Sequence, residues 1–144
     1  MKTYMAKKKD VQRKWHLVDA SGKPLGRVAT EISSLLMGKK KSIYTPHIDG
    51  GDFVVVVNAG KVKVSGKKFE KKMYHHYSGY PGGLKSKSFR EKFQEDPRWV
   101  VWHAVKGMLP PNRLRVERLK RLKIYEGEEH PHEAQLKGDV KKIK

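Results

Sequence analysis

The strongest constraint on the fold is an apolar run at residues 53–59, which reads Phe-Val-Val-Val-Val-Asn-Ala. Because the valines follow one another without interruption, this segment has no polar face to turn toward water. A nearly continuous run of β-branched residues is typical of a strand covered on both faces, as in a parallel sheet between helices. The run therefore predicts a buried strand and an α/β fold.

A helix is predicted over residues 25–37, because apolar side chains recur there along one face of a helical period. The apolar positions are Leu25, Val28, Ala29, Ile32, Leu35 and Leu36. Pro24 suits the first turn, where a backbone N–H has no helical partner, and Gly38 suits the C-terminal end. This stripe is the face that we expect to pack against the sheet.

Further strands are predicted at residues 15–20 and 122–125, where short apolar segments are bounded by turn or charged residues. Residues 62–64 alternate between valine and lysine and are a candidate for another short strand, as are residues 73–77.

Further helices are predicted in the second half of the chain. Ser88 and Glu91 have the spacing of a capping box at the start of a short helix. Asp96, followed by proline, is a suitable cap for the next helix, which a Pro-Pro pair ends at Pro110. A basic segment at residues 112–121 is also predicted to be helical.

The predicted organisation is one α/β domain with basic extensions. Residues 1–14 are polar and mostly basic and are predicted to form an N-terminal arm. Residues 15–127 form the single domain, and residues 128–144 are predicted to be an extended C-terminal tail. We find no internal repeat and no linker between domains.

The charge of the chain constrains its partners. Lys and Arg number 33 against 15 Asp and Glu, which gives a formal net charge of +18. Such a charge repels itself in a compact domain, and a polyanion relieves that repulsion. No apolar run approaches the ~20 residues of a membrane-spanning helix, the first residues lack a signal peptide's apolar stretch, and cysteine is absent. We expect a soluble intracellular protein whose partner is nucleic acid, with no membrane and no small-molecule substrate.

Enzymatic alternatives find little support in the motifs. Neither of the glycine-rich nucleotide-binding motifs occurs. The histidine pairs at residues 75–76 and 130–132 lack a recognisable zinc spacing. Asp49 and Asp52 could hold a cation, but acidic residues beside glycines are more often a plain turn. We predict no catalytic residue, no metal site and no cofactor.

Nucleic-acid binding is favoured by basic residues that alternate with aromatic ones. Residues 79–83 form a glycine-rich loop, which lets a backbone approach phosphates, and Tyr77 and Tyr80 beside it could stack on bases. Basic clusters follow the first predicted helix, flank Gly66 and crowd residues 113–123. Acidic residues are too few to neutralise these clusters, so phosphates are their expected partners.

Several motifs together resemble the ribosomal protein L13 family. They are Val-Asp-Ala-Ser-Gly-Lys-Pro-Leu-Gly-Arg at 18–27, Gly-Lys-Lys-Lys at 38–41, Tyr-Thr-Pro-His at 44–47, Gly-Asp-Phe-Val-Val-Val-Val-Asn-Ala at 51–59, Ser-Gly-Lys-Lys at 65–68, Ser-Gly-Tyr-Pro-Gly-Gly-Leu-Lys at 78–85, Ala-Val-Lys-Gly-Met-Leu-Pro at 104–110, Leu-Lys-Ile-Tyr at 122–125 and His-Pro-His-Glu-Ala-Gln at 130–135. Each motif is modest, but together they are specific and cover residues 1–135. The chain departs from the family pattern at Pro111 and Arg115, where the family commonly has a basic residue and a glycine.

The resemblance implies a three-layer α/β/α fold around a four-stranded, mainly parallel sheet. It also implies a structural protein of the large ribosomal subunit, located in the cytoplasm within the ribosome, that binds 23S-type rRNA beside neighbouring ribosomal proteins and acts early in assembly. The alternatives are a general nucleic-acid-binding regulatory protein and a metal-dependent α/β hydrolase.

The predicted RNA-binding residues are the basic, aromatic and polar side chains of these segments. They are Arg27, Lys39, Lys40, Lys41, Tyr44, Lys67, Lys68, Lys71, Lys72, His75, His76, Tyr77, Tyr80, Lys85, Lys87, Lys106, Asn112, Arg113, Arg115, Arg118, Lys120, Arg121 and Lys123.

Overall fold

A computed structural model describes residues 4–139 of the chain, apart from the side chains of residues 138 and 139. The outermost residues of the predicted arm and tail, 1–3 and 140–144, lie outside the described residues. The strands are β1 (Trp15–Asp19), β2 (Phe53–Val57), β3 (Met73–Tyr77), β4 (Leu84–Ser88) and β5 (Leu122–Ile124), and the helices are α1 (Leu25–Met37), α2 (Lys68–Lys71), α3 (Phe89–Glu95), α4 (Pro97–Met108), α5 (Leu114–Lys120) and α6 (Glu133–Asp139).

The main sheet is parallel and has the strand order β1-β2-β5, so the valine-rich strand lies in the centre. The predicted α/β class is confirmed, but the described sheet has three strands instead of the expected four. Residues 62–64 contribute only one bridge, between Lys63 and Pro24. Asn58 adopts a left-handed backbone conformation (φ 58°) and a 3-10 turn follows at Ala59–Lys61, so the chain turns away before a longer strand can form.

Both faces of β2 are buried, as the valine run predicts. Val54 and Val56 pack in a core with Ile32 and Leu36 of α1 and with the buried valines of α4. Val55 and Val57 point to the opposite face because side chains alternate along a strand, and they are also buried. The helix predicted from residue 25 to residue 37 is confirmed, and Gly38 ends it in the left-handed conformation (φ 75°).

The C-terminal segment is partly helical, which corrects the prediction of a wholly extended tail. Helix α6 contacts β1, and its Leu136 is buried. Trp15 of β1 stacks on Phe53 of β2 with ring centroids 4.5 Å apart, and the ring of His132 lies 5.2 Å from the indole. Aromatic and aliphatic contacts therefore hold residues 132–136 against the strands.

A second, antiparallel sheet is formed by the hairpin of β3 and β4. Its register pairs Met73 with Ser88 and Tyr77 with Leu84. Gly79 and Gly82 in the connecting turn have φ values of 88° and 73°, which glycine adopts without strain. The strand predicted at residues 73–77 is confirmed, whereas β4 was not predicted.

Helix starts in the second half follow the predicted capping. The Ser88 hydroxyl accepts a hydrogen bond from the Glu91 backbone N–H at 3.2 Å, and the Glu91 carboxylate accepts one from the Ser88 N–H at 3.0 Å. Asp96 accepts a bond from the Arg98 N–H at 3.0 Å and so caps α4. Phe89 and Phe93 stack on the inner side of α3, with centroids 5.7 Å apart, and this helix is thereby attached to the core.

Candidate nucleic-acid interface

Most predicted RNA-binding residues between positions 67 and 87 lie on one contiguous part of the chain, formed by α2, β3, the glycine turn and β4. We name this part the hairpin surface; its exposed members are Lys67, Lys68, Lys71, Lys72, His75, His76, Tyr77, Tyr80, Lys85 and Lys87. Tyr77 and Tyr80 are 62% and 76% exposed. Strand pairing sets His76 opposite Lys85, which brings the aromatic and cationic groups of the two strands together.

The lysines of the hairpin surface mostly lack acidic partners. Within residues 4–139, no ion pair involves Lys67, Lys72 or Lys85. Lys87 is the exception, because it binds the carboxylate of Glu95, which also accepts a bond from Lys92 at 2.9 Å. These hydrogen bonds, that of Lys87 first, lower the pKa of Glu95 to about 2. The hairpin is thus joined to α3, and most of its cations remain available.

Arg27 lies close to this surface. It lines a groove of about 440 Å³ together with Lys68 and Lys72, beside residues of α4. Arg27 projects from the exposed side of α1, whose opposite side faces the core. The structure therefore brings one predicted cation from another part of the sequence to the same region.

The three lysines after α1 do not all point toward solvent. Lys39 and Lys40 are exposed, but Lys41 turns inward. Its ammonium group donates hydrogen bonds to the carbonyl oxygens of Gln12 at 2.6 Å and Gly50 at 2.9 Å, and it binds the carboxylate of Asp52. Lys41 therefore connects the N-terminal arm to the loop before β2, a placement that does not fit the expectation that it contacts RNA.

Arg118 and Arg121 are buried, and this placement does not fit the expectation that they contact RNA. The two side chains are only 1% and 8% exposed. The two terminal guanidinium nitrogens of Arg121 bind the carboxylate of Asp49, and Nε of Arg118 lies 3.7 Å from the same group. Arg13 lies 3.6 Å from it on the outer side. We call these residues the Asp49 cluster.

The acidic loop between residues 49 and 52 is therefore more than the plain turn that we expected. Burial raises the pKa of Asp49, but the hydrogen bond and charge of Arg121, with Arg13 and Arg118, outweigh it and lower the pKa overall. The pKa of Asp52 is also lowered overall. Burial raises it, but the hydrogen bonds with His16 (2.9 Å) and Lys41 outweigh that effect. Both carboxylates bind cationic side chains of this chain.

The remaining predicted residues are spread over other elements. Arg113 is exposed, Tyr44, Arg115 and Lys123 are half-buried, and Asn112 accepts a hydrogen bond from the Arg115 N–H at 3.1 Å. Lys106 covers the ring of Trp102 at 5.0 Å, and Lys120 pairs with Glu117 at 2.9 Å. The structure does not place these residues among those that define the hairpin surface.

Sequence reasoning missed the aromatic residues behind the hairpin. Tyr74, Trp99 and His103 line a groove between β3, β4 and α4, together with several lysines of the hairpin surface. The available signal was the spacing of Trp99 and His103, which lie one helical turn apart and away from the buried valines of α4.

The described side chains and helices also bear on metal binding and membrane insertion. Among residues 4–139, no three His, Cys, Asp or Glu side chains come together in a way that could hold a metal ion. His130 and His132 instead surround Tyr125, whose hydroxyl lies 2.9 Å from the His132 ring. None of the described helices has both the length and the apolar character needed to cross a bilayer.

The parallel α/β domain carries an outer surface of exposed lysines and tyrosines, and most of these lysines have no carboxylate partner among the described residues; such a surface is suited to a polyanion. The family model described as ribosomal protein L13 matches residues 13–131, so the chain belongs to the ribosomal protein L13 family. It is 58% identical over 135 residues to "Large ribosomal subunit protein uL13" of Caldanaerobacter subterraneus subsp. tengcongensis, with 94% of each chain covered. The protein of the same name from Clostridioides difficile is 57% identical over 135 residues, again with 94% of each chain covered. That from Thermotoga maritima is 57% identical over 134 residues, or 93% of this chain and 90% of the relative.

Proposed function

We propose that this protein is a structural constituent of the large ribosomal subunit, where it binds and organises 23S-type rRNA beside neighbouring ribosomal proteins and acts early in assembly. The observation that carries the proposal is the match, over nearly the whole chain, to relatives whose name assigns them to that subunit. The same membership supports a structural and not a catalytic role, and a location within the ribosome.

The charge distribution of the described chain supports RNA as the partner. The buried arginines of the Asp49 cluster face a carboxylate of this chain, whereas most cations of the hairpin surface point outward without a carboxylate partner among the described residues. An outward cation gains free energy from a phosphate because counterions are released from the RNA. Such contacts position the protein on the RNA and do not read its bases.

The proposed RNA-binding residues are those of the predicted set that face outward. Arg118, Arg121 and Lys41 are removed from it, because their side chains are buried or already bound to carboxylates. The exposed Tyr77 and Tyr80 are proposed to stack on unpaired bases. Lys39, Lys40 and Arg113 are proposed to bind phosphates at separate places on the domain.

We also propose the finer architecture that the resemblance implies. Helices α1 and α4 pack on the face of the sheet that carries Val54 and Val56. Helix α6, which contacts β1, is proposed to belong to a third layer on the opposite face. The domain is proposed to extend over residues 15–127, with the arm and the tail docked against it.

The first test is sedimentation of a cell lysate through a density gradient. The chain is expected to travel with large ribosomal particles and with their rRNA. A native protein found mainly free of these particles would contradict the proposal.

The second test measures how the association constant with particles stripped of this chain depends on salt. The double variant Lys67→Gln and Lys71→Gln should reduce the logarithmic salt slope by about 1.4–1.8, since each phosphate contact contributes about 0.7–0.9. The control is Lys61→Gln with Lys137→Gln, which removes the same charge from lysines that already face Glu128 and Glu133. Equal slopes for the two variants would speak against phosphate contacts at the hairpin surface.

A further inference from the structure

A groove of about 810 Å³ separates the hairpin from α4 and is open to solvent along the exposed side of β3 and β4. Its volume is in the range of about 300–1,000 Å³ that small ligands occupy in proteins. Its lining includes the rings of Tyr74, Trp99 and His103, together with several lysines. We call it the aromatic groove.

The aromatic side chains of the groove form an ordered stack. Trp99 and His103 are nearly parallel, with centroids 4.7 Å apart and planes inclined by 27°. Tyr74 stands edge-on to both, at 5.1 Å from Trp99 and 5.3 Å from His103, and thereby fixes the pair. Trp99 is half-buried and His103 is exposed, so the imidazole is the outer member of the stack.

Cations surround this stack. Lys72 lies over the Tyr74 ring at 5.3 Å and Lys92 over the Trp99 ring at 5.1 Å, while Lys85 reaches the groove from β4. Among the described residues that line the groove, none is acidic. Among the ion pairs of the lysines that line the groove, the carboxylate is that of Glu95, which binds Lys92 and Lys87.

His103 adds a flat ring whose neutral form is favoured. Burial of the imidazole, with the cations of Lys106 and Lys72 nearby, lowers its pKa. A neutral ring can stack on a planar ligand without the cost of desolvating a cation. Lys72 and His103 also line the neighbouring groove that contains Arg27, which extends the cationic path away from the stack.

These features together select the chemistry of the ligand. A planar group is needed to extend the stack on His103, and negative charge is needed to complement Lys72, Lys85 and Lys92. An apolar side chain of a protein would satisfy the first requirement only, and a phosphate alone the second only. A nucleotide satisfies both requirements, because its sugar carries a flat base and is also joined to negatively charged phosphate.

We propose that the aromatic groove holds one unpaired nucleotide of RNA, with its base stacked on the outer face of His103 and its phosphates bound by Lys72 and Lys85. The proposal rests on the function proposed above and adds a defined single-nucleotide site to it. This site differs from the exposed tyrosines of the hairpin turn, because it lies in a groove between the hairpin and a helix.

The test uses large ribosomal particles that contain the wild-type chain, the variant His103→Ala or the variant His103→Phe. The reactivity of every nucleotide toward 2′-hydroxyl acylation is measured, because a nucleotide held in a groove reacts less than a mobile one. His103→Ala should raise the reactivity of one nucleotide, or of two adjacent ones, by at least about fivefold. This factor corresponds to the smallest stacking free energy that a base usually loses when its aromatic partner is removed. His103→Phe should keep the wild-type pattern, because phenylalanine preserves the stacking surface.

His47→Ala is the matched control, since His47 is another exposed histidine and is not among the residues that line the groove. Ultraviolet cross-linking of the wild-type particles adds a direct assignment: a nucleotide adduct is expected on the peptide that contains Tyr74, Trp99 or His103. Both results together support the site.

Three outcomes would overturn it, and they separate the site from the broader function. Unchanged reactivity in His103→Ala particles, without an adduct in the groove, would contradict the nucleotide site but not the proposed ribosomal function. A cross-link from the groove to another protein assigns the groove to a protein partner. If the wild-type chain is absent from the particles, the proposed function and the site both fail.

Discussion

Replacing Asp49 with alanine leaves the two buried guanidinium groups of Arg118 and Arg121 without their shared carboxylate. Arg121 would retain only backbone carbonyl acceptors, those of Leu36 at 3.2 Å, Glu117 at 3.3 Å and Asp52 at 3.4 Å. Both arginine side chains are less than a tenth exposed, so water cannot replace the lost charge without opening the structure. The variant therefore tests whether the cluster stabilises the domain.

The expected loss is about 3–5 kcal/mol, which is the usual cost of removing one partner from a buried ion pair. This is a large part of the roughly 5–15 kcal/mol by which a domain is stable. With a urea dependence of about 2 kcal/mol per molar, the unfolding midpoint should fall by about 2 M. Asp49→Asn should lose somewhat less, because the amide oxygen still accepts one hydrogen bond from Arg121.

The assay is equilibrium unfolding in urea, followed by circular dichroism and by tryptophan fluorescence. Glu117→Ala is the control, because Glu117 pairs with Lys120 at an exposed site and its removal should cost no more than about 1 kcal/mol. A midpoint for Asp49→Ala equal to that of Glu117→Ala would refute the reasoning, since it would show that the buried arginines need no counter-charge.

Two further predictions concern the same loop. The pKa values of Asp49 and Asp52 in the folded chain lie below the ordinary 3.8. The stabilisation by these carboxylates is therefore fully present above pH 3.8 and is lost as the pH falls through the lower folded-state values. In urea titrations at acid pH, the difference in unfolding midpoint between wild type and Asp49→Ala should shrink accordingly. Gly51→Ala should destabilise the chain by at least about 1–3 kcal/mol in the same assay, because its Cβ would lie 1.7 Å from the Leu36 carbonyl oxygen. Gly26→Ala is the control, since nothing lies within 4 Å of its Cβ and alanine favours the helix; similar losses for both variants would contradict the steric argument.

The central part of the fold was predictable because local patterns and packing agree there. The valine run of β2 needs cover on both faces, and the apolar stripe of α1 supplies a matching surface on one of them. Ser88 and Asp96 are caps whose partners lie within a few residues, so their roles follow from local sequence. By contrast, β4 reads Leu-Lys-Ser-Lys-Ser and is largely exposed, so no hydrophobic period marks it; its pairing with β3 depends on the turn between them.

The candidate site was less predictable, because charge alone does not tell where an arginine points. Arg118 and Arg113 belong to the same basic segment, yet only Arg118 is buried. The difference arises from Asp49, about seventy positions earlier in the chain, whose place beside α5 is set by the tertiary fold. The aromatic groove escaped prediction for the same reason, because Tyr74 and His103 meet only when the hairpin folds onto α4.

The strand order β1-β2-β5 has a consequence for biosynthesis. A nascent chain that has emerged as far as residue 110 can pair β1 with β2, but the other edge of the valine-rich strand stays open until Leu122–Ile124 is made. An unpaired apolar edge is a template for association with other chains. Newly made protein is therefore most prone to aggregation over the last stretch of translation, and truncated products that end before residue 122 should be the ones that chaperones or proteases remove.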